Sequence, residues 1–144
     1  MTSACTLLLL LLLESCTRVS EPIDYGKDSC EYCKMSIVDN RFASELVSDK
    51  GKVYKFDDIG CMLNFMKESA VDPKTCLFFV SDFAAGKTTF IDGKKAVFLH
   101  HVFFKSPMNG DYAAFSSIKT TRPYMDSLHI SSKTLSQLEE NAQK

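Results

Sequence analysis

Phe56, Ile59, Phe65 and Met66 recur 59 residues later as Phe115, Ile118, Tyr124 and Met125, and Gly51 recurs at the same offset as Gly110. Each copy runs glycine turn, strand ending in Phe, polar pair, apolar helix. The polar pairs are Asp57-Asp58 and Ser116-Ser117, whose side-chain oxygens suit the first free N–H groups of a helix. Behind the first pair, Ile59, Met62, Leu63, Met66 and Ala70 fall on one helical face. Asp72-Pro73 then stops the helix. Strands are expected at 36–38, 42–47, 52–56, 76–80 and 96–104. Asn109-Gly110 predicts a type I′ hairpin turn with positive φ at both residues. Pro123 removes one donor from the second helix, and 134–141 reads as a terminal helix. The expected fold class is therefore α+β: two homologous β-β-α halves, about 30–80 and 90–130, packed around a shared core. A chain of 144 residues has room for one such domain.

The N-terminus carries a different instruction. Residues 7–13 are seven consecutive leucines, about half the length needed to span a bilayer. A short apolar run ending in small residues predicts a secretory signal. The sequence Leu13-Glu14-Ser15-Cys16 resembles a bacterial lipobox, in which cleavage precedes a cysteine that becomes diacylated. The expected organisation is a lipoprotein signal peptide at 1–15, a lipid anchor on Cys16, a polar tether at 16–29 and a domain at 30–144. That places the protein in the periplasm, held to a bacterial membrane through its acyl chains. From Cys16 onward the charges balance at 17 positive and 17 negative, with no basic run. Nucleic acid is excluded as a partner on that ground.

Of six cysteines, Cys5 leaves with the signal and Cys16 takes lipid, so Cys30, Cys33, Cys61 and Cys76 remain. Cys30-Glu31-Tyr32-Cys33-Lys34-Met35 is a Cys-x-x-Cys-x-Met motif, in which two thiolates and a thioether can converge on one ion. Soft sulfur donors of this kind select Cu(I). A zinc ribbon needs a second Cys pair or a His pair, and neither is present. A thioredoxin-type site needs its first Cys at a helix start, whereas 35–38 reads as strand. Met108 stands on the second hairpin turn with nothing to pack against, which makes it a further sulfur candidate. His101 shares a strand face with Phe103 and Lys105 and is a candidate nitrogen donor; His100 faces the other way. Met62 and Met66 belong to the apolar helix face, Cys61 to packing beside it, and Cys76 to a buried strand. Asp57 and Asp58 read as caps. No His–Asp–nucleophile set or phosphate-binding glycine loop occurs, so no enzyme is expected.

Three segments together resemble the NosL family of copper-binding lipoproteins that accompany nitrous oxide reductase. They are residues 30–35, Val53-Tyr54-Lys55-Phe56-Asp57-Asp58-Ile59-Gly60-Cys61-Met62, and Ser106-Pro107-Met108 followed by Ala113-Ala114-Phe115. The resemblance spans residues 16–128. It implies periplasmic binding of Cu(I) and its delivery to nitrous oxide reductase, with the assembly proteins of that pathway as partners. It also implies two β-β-α halves. Cys33, Met35 and Met108 are the implied metal-site residues, with Cys30 contributing. Relatives often carry Gly where this chain has Lys34, and Met followed directly by Gly where Asn109 intervenes. From the residues alone an alternative stands: a thiol–disulfide redox protein using Cys30 and Cys33, for which Met35 and Met108 have no role. A structural disulfide between the same pair is the third reading.

Overall fold

A computed structural model describes residues 18–142. The expected signal peptide and the Cys16 anchor lie outside those residues. The elements run β1 (Ser44–Val47), β2 (Val53–Phe56), α1 (Ile59–Glu68), β3 (Leu77–Ser81), β4 (Phe90–Asp92), β5 (Val97–His100), β6 (Tyr112–Phe115), α2 (Ile118–Leu128) and α3 (Leu135–Ala142). β1 to β4 form an antiparallel sheet in the order β2-β1-β3-β4, and β5 and β6 form a separate hairpin. This mixture of helices and antiparallel sheets is the α+β class that the patterning predicts.

The repeat survives where local rules govern it. Each hairpin leads into a helix, and the N-caps Asp58 and Ser117 stand at the expected offset, each accepting a first-turn N–H. α2 continues through Pro123 with Tyr124, Met125 and Leu128 against the buried cluster beside it. The hairpin loops differ: residues 48–52 join β1 to β2, whereas 101–111 join β5 to β6. The longer loop carries Met108.

Instead of one shared core, the described residues bury two clusters. Phe98 and Ala114 face the first, with Leu46, Phe56, Met62, Phe78 and Leu138; Leu99, Ala113 and Phe115 face the second, with Phe42 and Phe104. Successive strand side chains point to opposite faces, so a hairpin covered on both sides divides the interior.

Three expectations change. The strand expected at 96–104 ends at His100, because the N–H groups of Phe103 and Phe104 turn back to His101 Nδ1 and O, at 3.1 Å each. The strand expected at 36–38 reduces to a bridge between Ser29 and Ser36, since that segment folds back on the cysteine loop. The expected tether is bound along the domain from Arg18 onward. Arg18 donates to the Thr75 carbonyl (2.7 Å), Lys55 to the Pro22 carbonyl (2.9 Å) and Asp28 (2.8 Å), and Ile23 and Tyr25 pack on the first cluster.

Glu45, in β1, is fully buried. Its Oε2 accepts from the Glu21 N–H at 3.1 Å, while Oε1 has no partner. Burial pushes this carboxyl up to about 7 from an ordinary 4.5. Between those values the folded protein keeps a proton that the unfolded chain has released, so stability falls as pH rises through the window. The expected loss is about 3 kcal/mol between pH 4.5 and 7. Urea midpoints across that range check it, and Glu45→Gln should flatten the slope.

Candidate metal centre

The cysteine loop is closed by its own backbone. Cys30 N–H donates to Met35 O (2.7 Å), Lys34 N–H to Cys30 O (3.0 Å), Gly26 N–H to Ile37 O (2.8 Å) and Ile37 N–H to Asp28 O (2.9 Å). Lys34 turns the chain at φ 64°, the left-handed region that glycine occupies without steric cost. Glu31 N–H reaches Lys55 O at 2.8 Å and fastens the loop to β2. Two residues beyond Lys55 comes Asp57, and four beyond that Cys61, in the first turn of α1. The loop is thereby laid across the start of the helix.

The outcome is a convergence of four side chains. The Sγ atoms of Cys30, Cys33 and Cys61 and a carboxylate oxygen of Asp57 all lie within 4.8 Å of one another. All four described cysteines are free thiols. Cys61 donates its S–H to Cys30, which brings the Cys30 thiol down to about 6. The same bond, with burial, holds the Cys61 proton in place and pushes that thiol up. Burial pushes Cys33 up to about 11; its S–H points at both Asp57 oxygens, at 3.6 Å each. The N-terminal end of α1 favours negative charge at this spot. Three sulfurs around one point form a donor set for a soft monovalent ion.

Cys61 and Asp57 are the members that pattern reading assigns elsewhere. Cys61 does pack in the core, at 3% exposure, and its thiol also enters the cluster. Asp58 performs the capping, which leaves Asp57 available. The signal in the sequence is the acidic pair itself: a helix needs one cap, and two candidates in a row leave a spare carboxylate near the next Cys.

The other predicted donors are placed differently. Met35 is 57% exposed and Met108 is 39% exposed. Both are tied to the site through backbone: Met35 O accepts from Cys30, and Met108 N–H donates to Asp58 Oδ2 at 3.2 Å. His101 is not among the converging donors. Its N–H bonds Asp111 O at 3.0 Å and its Nδ1 accepts from Phe103. His100 stacks on Tyr112, with ring centroids 4.4 Å apart.

The Met108 loop approaches α1 closely. Gly60 and Gly110 face each other so tightly that a Cβ on either would meet the other's Cα at 3.1 Å and press on the Asp58 carboxylate. This contact, rather than a type I′ turn, is why Gly occupies position 110. The positive φ angles fall on Asn109 (55°) and Asp111 (54°).

Two hairpin-led helices with a thiol cluster at the head of the first define a small α+β protein built around a candidate soft-metal site. The family model of NosL matches residues 23–129, so the chain belongs to the NosL family. The structure is similar to the crystal structure of the copper chaperone NosL from Shewanella denitrificans, with a TM-score of 0.68 and 19% sequence identity. The match covers 83% of this chain and 95% of that one. No curated protein sequence matches the chain significantly.

Proposed function

We propose that this protein binds one Cu(I) ion and hands it to a recipient copper protein. The observation that carries the reading is the convergence of Cys30, Cys33 and Cys61 with Asp57 within 4.8 Å. Family membership supports it, as does the likeness to a copper chaperone from Shewanella. In this reading the ion is held by the cysteine sulfurs together with the exposed thioethers of Met35 and Met108, through which it enters and leaves. Transfer proceeds by ligand exchange: a thiolate, thioether or imidazole of the recipient enters the shell as one of these sulfurs departs. Nitrous oxide reductase is the proposed recipient, working with its assembly proteins. The protein is proposed to act in the periplasm, anchored through acyl chains on Cys16.

X-ray absorption of the Cu(I)-loaded protein should report at least three sulfur neighbours. Met35→Leu with Met108→Leu should lower Cu(I) affinity by about 100-fold, measured by competition with a chromogenic chelator. The closeness of two free thiols, Cys30 and Cys33, also favours a second reading, a thiol–disulfide protein using that pair. Under that reading the double methionine variant keeps wild-type affinity, and the carrier proposal loses its exchange ligands.

A further inference from the structure

We propose that Asp58 is a positioning residue that sets Met108 over the cysteine cluster. The inference rests on the reading of Met108 as a copper ligand. Asp58 is completely buried, and its carboxylate is met by four uncharged donors. Oδ1 accepts from the Gly60 N–H at 2.5 Å and so starts the helix that carries Cys61. Oδ2 accepts from the Ser106 hydroxyl, from the Met108 N–H at 3.2 Å and from the Gly110 N–H at 3.4 Å. One carboxylate therefore joins the head of α1 to a loop about 50 residues further along the chain. A buried carboxylate is tolerated only where hydrogen bonds replace its water, so releasing either side leaves unpaired polar groups.

The loop is preformed for this contact. Asp111 N–H donates to Ser106 Oγ (2.7 Å) and Asn109 N–H to Ser106 O (3.0 Å), closing residues 106–111 into a tight ring. Gly60 and Gly110 remove the side chains that would hold the two segments apart. The long 101–111 connection does not by itself dictate where Met108 lies. Asp58 does, through two oxygens aimed at two segments. Asp57 beside it belongs to the cluster, so the same dipeptide supplies a site carboxylate and the clamp on the outlying methionine.

Asp58→Asn keeps size and shape but offers a single acceptor oxygen, so it satisfies the helix or the loop and not both. Ser106→Ala loosens the loop while leaving the helix cap intact, and serves where the Asn variant fails to fold. Cu(I) affinity is measured for the full-length protein, for each variant, for Met108→Leu, and for each variant combined with Met108→Leu. Each single change should weaken binding about tenfold, and the combinations should be no weaker than Met108→Leu alone. X-ray absorption should show one sulfur fewer in Ser106→Ala than in the wild type. Equal losses with and without Met108 overturn the proposal, because Asp58 would then act through the fold at large. Wild-type affinity in Ser106→Ala and Asp58→Asn overturns it too. Unchanged binding in Met108→Leu removes Met108 as a ligand and this inference with it, while the cysteine site stands; a wild type that takes up no Cu(I) removes the proposed function itself.

Discussion

Serine at both Cys30 and Cys33 should abolish stoichiometric Cu(I) binding, and Cys61→Ser alone should weaken it by about 100-fold or more. A neutral hydroxyl is a hard, weakly donating group, and Cu(I) discriminates against it in favour of sulfur. The double variant leaves one thiol beside a carboxylate, which is no longer a soft site. Cys61 carries separate weight because it arrives from α1 rather than from the loop. Cys76→Ser is the control. Its thiol is buried away from the cluster and donates to the Asp72 carbonyl at 3.3 Å. Chelator competition on purified protein separates these cases. A Cys30→Ser, Cys33→Ser protein that still retains one equivalent of Cu(I) would overturn the proposed site.

Phe115→Ala should cost about 3–5 kcal/mol of folding stability, the range for deleting a buried aromatic ring. Phe115 is completely buried. Its ring lies 5.3 Å from Tyr124, 5.7 Å from Phe83 and 6.3 Å from Phe104, at the centre of the second cluster. It also ends β6 just before the Ser117 cap, so the cavity would loosen the seat of α2. Domains of this size hold about 5–15 kcal/mol in all, and the variant should sit near the edge of folding at ordinary temperature. Urea denaturation measures the loss directly. Because the metal cluster belongs to the other side of the β5–β6 hairpin, Cu(I) affinity of the protein that remains folded should stay within about twofold of wild type. A loss under 1 kcal/mol would mean that the aromatic cluster does not hold α2.

Local physics made much of the architecture readable from the amino acids. A cap, a helical stripe and a two-residue alternation act over a few residues, so α1, α2, α3, β2 and the N-caps fall where pattern puts them. The Cys-x-x-Cys-x-Met segment is readable for the same reason, since its spacing and its soft sulfur chemistry are local facts. Elements whose place depends on a distant partner behave otherwise. Ile23 and Tyr25 draw an apparent tether onto the core, and the N–H groups of Phe103 and Phe104, turned back to His101, end β5 early.

The candidate site shows the same division. The sequence by itself determined the donor chemistry, because the thiols and thioethers are present whatever the fold. Only the tertiary structure decided which of them meet. Cys61 enters because the loop at 30–35 is fastened across the head of α1, and Met108 is held near by Asp58 from 50 residues away. His101 stays out of the cluster. Spacing along a chain constrains neighbours within a turn or a strand, whereas a four-donor cluster is made by segments whose distance is set by packing.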